Sequence, residues 1–267
     1  RPCRIDPCAL ASLSGDLGGF LIPAHAFTPH KGVLGAAVDR LSLIFGPLPA
    51  DSVPALELGL SADTALADRI AEHSSLTFLS NSDAHSRASI GREFNLLCLA
   101  ELSFAEIRRA VLGQDGRGVV ANYGLDPELG KYRRSACLSC RRIASEPPPV
   151  QRCPRCGGPV VMGVDDRVSV IADRPPGGSP PHRPPYRHQV PFSFLPGVGA
   201  KAAARLTAAF GSERRALHEA APDQLEAVVG KKTAAVILAA RRGEIFLRAG
   251  GGGRYGKTVV KPSGPGP

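Results

Sequence analysis

The sequence lacks the features that mark membrane proteins and secreted proteins. It contains no run of 18 or more apolar residues, which excludes a conventional transmembrane helix. Its first residues show no signal-peptide pattern. Its seven cysteines do not suggest a secreted disulfide framework, because four of them have the spacing of a metal site. We therefore expect an intracellular, cytoplasmic protein without a membrane partner.

An initiating methionine is also missing, since the chain begins at Arg1. We expect from this that the first elements of the fold are cut off. The 267 residues are enough for about two domains, or for one large domain with small modules.

Charge is distributed unevenly along the chain. Residues 1–130 hold 10 Lys/Arg and 15 Asp/Glu, a net charge of −5, whereas residues 131–267 hold 23 and 9, a net charge of +14. A basic C-terminal half suggests that this half binds a polyanion, and the alternative is a basic surface that is merely solvated.

The first 130 residues alternate between strand-like and helix-like segments. Repeated β-α units predict an α/β fold with parallel strands joined by helices. We expect strands at residues 19–23, 55–60, 76–80, 94–99 and 119–120, and helices at residues 32–45, 65–70 and 104–112. His30 and His73 fit surface positions.

Polar residues follow several of these strands. Asp83 and His85 come directly after an apolar run, and their spacing of two aims both side chains into one site. An earlier strand runs into His25. Carboxylate and imidazole together suit zinc or manganese, although an ordinary surface turn is the alternative. Since functional sites of such folds lie at the carboxyl ends of strands, we expect one shared site.

Four cysteines form two Cys-x-x-Cys pairs twelve residues apart. Two such knuckles supply four thiolates to a tetrahedral ion and leave no open position, which predicts a structural zinc. The pairs are Cys137 and Cys140, then Cys153 and Cys156.

A Pro- and Gly-rich stretch, residues 173–191, predicts an extended linker. Beyond it, two glycine-containing turns each open an Ala-rich helix, at residues 200–210 and after residue 230. The pattern looks like a helix-hairpin-helix module, which binds the DNA backbone through helix N-termini and basic side chains. The candidate backbone-binding residues are Gly197, Gly199, Lys201, Gly230, Lys231 and Lys232.

Taken together, these segments resemble the endonuclease Q family, whose catalytic domain belongs to the PHP (polymerase and histidinol phosphatase) superfamily. The resemblance covers about residues 18–192. It rests on residues 22–29 (IPAHAFTP), 57–63 (ELGLSAD), 79–86 (LSNSDAHS), 122–127 (NYGLDP) and 183–186 (RPPY), and on the four cysteines. The implied domains are the C-terminal part of a distorted β/α barrel (1–132), a zinc knuckle (133–172), the linker (173–191), the helix-hairpin-helix domain (192–249) and a disordered tail (250–267).

The resemblance implies a DNA-repair enzyme that cuts 5′ to deaminated bases (uracil, hypoxanthine, xanthine) or abasic sites. His25, Asp83 and His85 would be ligands of catalytic divalent metals (Zn, Mn or Mg), with Asp83 and His85 as the catalytic pair. Glu57, Ser61 and Asn81 would line the substrate pocket. The implied partner is damaged double-stranded DNA, with other repair or replication proteins as further candidates and the nucleoid as the location.

One departure bears on activity. PHP domains open with a His-x-His pair, and none occurs in these 267 residues. We therefore expect that this chain by itself cannot assemble the full metal cluster and is impaired. The alternatives are another PHP-type phosphoesterase, either exonuclease or phosphatase, and a non-catalytic DNA-binding or helicase-associated protein.

Overall fold

The computed structural model describes residues 4–46 and 51–259, which form a mixed α/β structure. The helices are α1 (Pro7–Asp16), α2 (Ser42–Phe45), α3 (Thr64–Ala67), α4 (Phe104–Leu112), α5 (Val164–Ile171), α6 (Ala200–Phe210), α7 (Glu213–His218), α8 (Pro222–Val229) and α9 (Lys231–Arg241). The strands are β1 (Ala55–Glu57), β2 (Thr77–Leu79), β3 (Phe94–Cys98), β4 (Gly118–Leu125), β5 (Ala136–Cys137), β6 (Val160–Val161), β7 (Tyr186–Gln189), β8 (Phe246–Arg248) and β9 (Lys257–Val259). Among the described residues, no helix is long and apolar enough to cross a membrane.

Two small sheets shape the first part of the fold. In one, β1 and β2 run parallel. In the other, the order is β3-β4-β7, with β3 antiparallel and β7 parallel to β4. The prediction of parallel strands is therefore confirmed for β1 and β2 and wrong for β3 and β4. Local patterns reveal where strands lie, but strand direction depends on partners distant in sequence.

Side-chain amides join the two sheets. Asn122 on β4 is fully buried, and its Nδ2 donates to the Phe78 carbonyl on β2 at 2.8 Å and to Asn95 Oδ1 on β3 at 2.8 Å. Asn95 Oδ1 also accepts from the Ser80 backbone N–H at 2.8 Å. The chain that leaves β2 is thereby held against the second sheet.

Helix α5 packs into the core of the first part of the chain. Val164 and Val168 are buried among Phe27, Leu56 and Phe78. Complete burial of such apolar side chains stabilises the fold by about 1.5–3 kcal/mol each. The last helix of the segment predicted as a zinc knuckle therefore belongs structurally to the preceding unit.

Helices α6 to α9 enclose a second core. Leu206, Leu225 and Ile237 are fully buried at its centre. Leu125 at the end of β4 and Leu129 just beyond it are buried in the same cluster. The helical module, defined here as residues 192–249, is thus fused to the sheet by a continuous apolar interior.

The predicted helix bounds agree with the structure at α4 and α6. Ser103 caps α4 as expected, because its Oγ accepts from the Glu106 backbone N–H at 3.3 Å. At Gly211, just after α6, the backbone is left-handed with φ of 78°. Glycine suits this conformation, which commonly ends helices.

The continuous helix predicted over residues 32–45 is wrong. The structure has a π-helical turn at Val33–Ala37, an extended Val38, and then the short α2. Arg167 on α5 explains the break, since its Nε donates to the Leu34 carbonyl at 2.8 Å and its Nη2 to the Val38 carbonyl at 3.0 Å. A distant side chain thus takes carbonyls that a regular helix would use itself.

The expected linker over residues 173–191 is built into the fold. It contributes β7 to a sheet, and it buries Arg183 in an ion pair with Asp68, Nη2 to Oδ1 at 2.7 Å. The Arg183 guanidinium also lies over the Phe78 ring at 3.7 Å. The prolines of residues 173–191 limit regular structure, but the buried Arg183 fixes the path of the segment.

The disordered tail predicted for residues 250–267 is wrong as far as Val259. Strand β9 pairs with β8, and Gly250 and Gly256 lie so close to backbone carbonyls of Gly130 and Glu128 that a Cβ would clash. Residues 260–267 lie outside the described residues.

His73 is buried, contrary to expectation. Its ring contacts the edges of Phe27 and Phe78, and its Nδ1 lies 2.9 Å from the Ala67 carbonyl. Burial lowers the pKa of His73, so the imidazole is neutral and acts as a core residue.

The Arg183 ion pair makes a testable prediction about stability. Arg183→Met leaves Asp68 buried without its partner, and we expect a loss of about 3–5 kcal/mol in the free energy of unfolding. Urea denaturation measures this change. The matched control is Arg242→Met, which breaks an exposed pair with Glu244 and should leave the free energy of unfolding nearly unchanged. Equal effects of the two substitutions would contradict the structural role of Arg183.

Candidate functional site

The carboxyl ends of β1 and β2 open into a cavity of about 560 Å³. Because the two strands are parallel and adjacent, the loops that leave them reach the same edge of the sheet. The cavity is lined by side chains from several parts of the chain: His25, Thr28, Pro29, His30, Lys31, Leu60, Ser61, Asp83, His85, Ser89, Arg92, Lys131, Tyr132 and Tyr255. We call this cavity the strand-end pocket.

The three predicted metal ligands meet in this pocket. Asp83 Oδ1 lies 3.6 Å from His25 Nε2 and 3.9 Å from His85 Nδ1. His85 Nδ1 also lies 2.8 Å from the Asp83 backbone carbonyl. This set of nitrogen and carboxylate donors fits a divalent metal such as zinc or manganese. Their role as ligands stays a prediction.

Strained backbone marks the same pocket. His25, His30 and Asp83 have φ of 49°, 73° and 45°, in the left-handed region that non-glycine residues seldom occupy. Gly59, with φ of 72°, lies beside His25, and a Cβ there would be 3.1 Å from His25 Nδ1. Strain of this kind concentrates at binding and catalytic sites.

Glu57 lies beneath His25 and does not line the pocket. It is 4% exposed, and its carboxylate accepts from the His25 backbone N–H at 2.6 Å and from the Gly59 N–H at 2.8 Å. His25 Nδ1 is 3.4 Å from Glu57 Oε2. The geometry therefore assigns Glu57 to holding His25, in place of the predicted contact with substrate.

The other two predicted substrate residues differ from each other. Ser61 lines the pocket, and its Oγ accepts from the Tyr132 backbone N–H at 3.3 Å. Asn81 is exposed outside the pocket lining, with its Oδ1 accepting from Asn95 Nδ2 at 3.0 Å.

A buried acid that sequence reasoning missed, Glu93, lies below the loop that carries Asp83 and His85. Glu93 is 3% exposed, and its Oε2 accepts from Ser80 Oγ at 2.9 Å. Burial, with a smaller contribution from the nearby carboxylate of Glu57, raises the pKa of Glu93 to about 8, against the opposing effects of Ser80 and Arg92. Glu93 is therefore largely protonated at neutral pH. No sequence pattern signals it, because its burial depends on the sheet.

The strand-end pocket also includes cations and aromatics that the sequence did not single out. Lys31, Arg92 and Lys131 line it together with Tyr132 and Tyr255. The Lys131 ammonium lies 4.7 Å from the centre of the Tyr255 ring. Tyr255 comes from the segment expected to be disordered, so only the folded structure could reveal its place in the wall.

The four cysteines converge as their spacing predicts. Cys137 Sγ lies 3.5 Å from Cys156 Sγ, and Cys140 Sγ lies 3.7 Å from Cys153 Sγ. A tetrahedral zinc with bonds of about 2.3 Å would hold sulfurs about 3.8 Å apart, so this set fits zinc. The Cys140 backbone N–H helps to lower the pKa of Cys137 to about 6, which favours the ligating thiolate.

This cysteine group differs from the strand-end trio in its completeness. Among the described residues, it is the one set of three or more His, Cys, Asp or Glu whose ligand atoms all lie within 4.8 Å of one another. The trio of His25, Asp83 and His85 is more open than a closed structural site.

The two glycine turns of the helical module lie side by side. Pro196 and Gly197 line a surface groove together with Lys232 and Thr233. Gly199 and Gly230 immediately precede α6 and α9, so both turns present helix N-termini. All six residues predicted to contact the DNA backbone are exposed: Gly197, Gly199, Lys201, Gly230, Lys231 and Lys232.

Two solved structures similar to this chain are described as a lesion-specific endonuclease and as an endonuclease Q. The chain matches PfuEndoQ from Pyrococcus furiosus with a TM-score of 0.84 and 36% identity, covering 97% of this chain and 66% of that one. It matches an endonuclease Q in complex with a 27-mer duplex substrate, with an abasic lesion at the active site, at a TM-score of 0.85 and 35% identity. This second match covers 97% of this chain and 67% of that one.

Two curated relatives are described only as uncharacterized proteins. YqxK of Bacillus subtilis (strain 168) is 47% identical over 249 residues, which cover 92% of this chain and 62% of YqxK. MJ0043 of Methanocaldococcus jannaschii is 38% identical over 230 residues, which cover 78% of this chain and 28% of MJ0043. The chain spans less than two thirds of the length of both. It matches no protein-family model.

Loss of the metal from the four-cysteine site should destabilise the protein. In Cys153→Ser we expect zinc content to fall from about one ion per chain to a small fraction, and Tm to fall by about 5–10 °C, equivalent to about 3 kcal/mol. Elemental analysis and thermal unfolding measure the two effects. Cys98→Ser, at an exposed thiol outside the group, should change neither. Full zinc content in Cys153→Ser would refute the assignment.

Glu93 predicts a dependence of stability on pH. Its folded-state pKa of about 8 exceeds the ordinary value of 4.5, so between these values the folded protein retains a proton that the unfolded chain releases. Stability therefore decreases as pH rises through this window. Glu93→Gln keeps a neutral acceptor for Ser80, and we expect it to be more stable than the wild type by about 1–3 kcal/mol at pH 8.

The advantage of Glu93→Gln should shrink toward zero near pH 4, where the wild-type carboxyl is protonated in the folded state and mostly so in the unfolded state. Urea titrations at pH 4 and pH 8 measure it. The exposed control Glu101→Gln should show no such pH-dependent difference. An advantage of equal size at both pH values would contradict the buried proton.

Proposed function

The chain belongs to the endonuclease Q family, and we propose that it carries part of the active site of a metal-dependent DNA-repair endonuclease. The proposed reaction is hydrolysis of the phosphodiester on the 5′ side of a deaminated base or an abasic site. The proposed substrate is damaged double-stranded DNA.

The observation that carries this proposal is the convergence of His25, Asp83 and His85. They meet in the strand-end pocket of a chain that matches endonuclease Q structures over 97% of its length. Their first and last members are 60 residues apart in sequence, so the pocket is assembled by the fold.

His25, Asp83 and His85 would hold the catalytic divalent metal. Such a metal, whether zinc, manganese or magnesium, supplies an activated water and positive charge for the oxygens of the scissile phosphate. The trio is smaller than the ligand set of a polynuclear cluster. We infer that further ligands come from protein outside these 267 residues, and that this chain alone is impaired in cutting.

Residues around the trio orient it and prepare the pocket for a phosphate. Glu57 fixes the His25 backbone through a 2.6 Å hydrogen bond, which sets the direction of the imidazole. Lys31, Arg92 and Lys131 offset the negative charge that a DNA strand brings into the pocket. These groups act before any bond breaks. They position the DNA strand and lower the electrostatic free energy of bringing its phosphates into the pocket.

A cavity of about 560 Å³ is large enough to receive a nucleotide turned out of the helix. Turning out is easiest at a mispaired or missing base, which favours lesions over intact pairs. We propose Ser61 as a contact for the displaced nucleotide, because it is polar and lines the pocket.

The helical module would hold the undamaged duplex on either side of the lesion. Its exposed glycine turns and lysines suit phosphate oxygens without reading sequence. The module itself holds 9 Lys/Arg and 5 Asp/Glu, a net charge of +4, which supports this role. The zinc-cysteine group would stabilise the connection between the pocket and this module.

Incision of a defined lesion tests the proposal. We expect the full-length protein, with Mn²⁺ or Mg²⁺, to cut a duplex carrying one internal uracil immediately 5′ to the lesion and to leave the undamaged duplex intact. Asp83→Asn should lower the incision rate by about 100-fold or more, as expected for loss of a metal ligand. Denaturing gels that map the product ends provide the measurement.

The matched control is Asp115→Asn. Asp115 is also an exposed acid with positive φ (52°), but it lies on the turn before β4 and outside the pocket lining. Its rate should stay within about twofold of the wild type. Undiminished lesion-dependent cutting by Asp83→Asn would remove the pocket from the reaction. Cutting that ignores the lesion would refute the substrate.

A further inference from the structure

The loop that carries Asp83 and His85 is weakly held by its immediate neighbours. Residues 83–86 are exposed, and Asp83 adopts a strained backbone conformation with φ of 45°. Such a loop keeps a fixed geometry only if contacts from elsewhere hold it. One of these contacts comes from Arg92, whose Nη2 donates to the Ser82 carbonyl at 2.9 Å, directly before Asp83.

Arg92 is in turn held from the helical side of the molecule. Gln189, the last residue of β7, is 4% exposed, and its Nε2 donates to the Arg92 carbonyl at 3.0 Å. Its Oε1 lies 2.6 Å from Nε2 of His218, the last residue of α7. The chain of contacts therefore runs from α7 through Gln189 and Arg92 to the loop.

The hydrogen bonds of this chain can be assigned a direction. Gln189 uses its Nε2 as the donor toward Arg92, so its Oε1 must accept from His218 Nε2–H. Burial, with the charges of Arg241 and Arg214, lowers the pKa of His218 to about 4, so the ring is neutral with its one proton on Nε2. The ring of His218 makes an edge-on contact with the ring of Tyr123, with the ring centroids 5.1 Å apart, which fixes the plane of the imidazole.

Arg92 also joins two cavities. It lines the strand-end pocket, and with Gln189 it lines a second cavity of about 910 Å³ that extends to the start of α6 and to Glu213 on α7. A displacement of α7 would thus shift the Arg92 backbone. Through the Arg92 side chain, it would also shift the loop that carries Asp83.

We propose that Gln189 is a positioning residue that couples the seating of the helical module to the geometry of the Asp83 loop. The coupling passes through the His218 to Gln189 to Arg92 hydrogen bonds and ends at the Ser82 carbonyl. This inference rests on the proposed function for its consequence in catalysis. Binding of DNA by the module and alignment of the pocket would then be linked events.

Three variants test the coupling in the full-length protein. Gln189→Leu removes both side-chain hydrogen bonds at similar volume, and His218→Leu removes the donor at the other end. We expect each to lower kcat for incision of the uracil duplex by about tenfold, with the Kd for DNA within about twofold, because a small misplacement of a catalytic group costs rate more than binding. His218→Gln keeps a donor near Nε2 and should stay close to the wild type.

Hydrogen exchange gives a readout that needs no activity. Amide exchange of residues 81–86 should be faster in Gln189→Leu and His218→Leu than in the wild type and in His218→Gln, while exchange of the buried core helices α6 and α9 is unchanged. If the wild-type protein fails to cut lesion DNA, the proposed function falls, and the exchange comparison still decides the coupling.

Three results would overturn the inference. One is normal exchange of residues 81–86 with normal kcat in folded Gln189→Leu. Another is equal behaviour of His218→Gln and His218→Leu, which would point to ring packing alone. The third is an additive effect of two substitutions. If Arg92→Met and Gln189→Leu act through one path, the double variant should be no slower than Arg92→Met, so a slower double variant would contradict the inference. Should Gln189→Leu not fold, the two His218 variants decide by the same criteria.

Discussion

The buried amide of Asn122 is the contact on which the arrangement of the site depends. It joins β4 to the Phe78 carbonyl and to Asn95, and Asn95 in turn receives the Ser80 N–H. These bonds lie in the interior, where an unsatisfied partner is costly, so they fix the distance between the two sheets. The loop bearing Asp83 begins at the end of this amide chain, and its starting point is therefore set by the sheet junction.

The helical module is an integral part of this architecture. Leu125 and Leu129 extend from β4 into the core around Leu206 and Leu225, so the module cannot shift without disturbing β4. The contacts of α7 with Gln189 lie along the same seam. The helical module, which we propose holds the duplex, is thereby fixed to the sheet whose strand β4 also carries Asn122.

Sequence alone predicted features that depend on local spacing. The cysteine pairs, the helix at residues 200–210 and the neighbouring Asp83 and His85 follow from short-range geometry, and the structure brings each together as expected. Sequence-based prediction failed where one side chain contacts residues that are distant in sequence. Arg167 interrupts a helix and Arg183 anchors a presumed linker, in each case through contacts more than 100 residues away. No periodicity records such partners.

The same limit applies to the pocket. His25 and Asp83 were recognisable because each follows an apolar run in the sequence, whereas Tyr255 lines the pocket from a Gly-rich segment whose composition indicates disorder. Glu57 carried the right residue type at a strand end but faces inward, because its carboxylate satisfies two backbone N–H groups. Position along a strand predicts proximity to a site, and the hydrogen bonds available there decide which way the side chain points.

The charge balance of the pocket depends on a proton held beneath it. Lys31, Arg92 and Lys131 line the cavity, and Asp83 is the one acid among its lining residues in the described part of the chain. Glu93 lies below the loop, and since burial raises its pKa to about 8, it accepts from Ser80 without adding a full negative charge at neutral pH. An ionised Glu93 would repel an entering phosphate through a medium that salt screens poorly. A buried acid can thus serve the hydrogen-bond network of the fold while the pocket keeps the positive potential that the proposed DNA substrate would require.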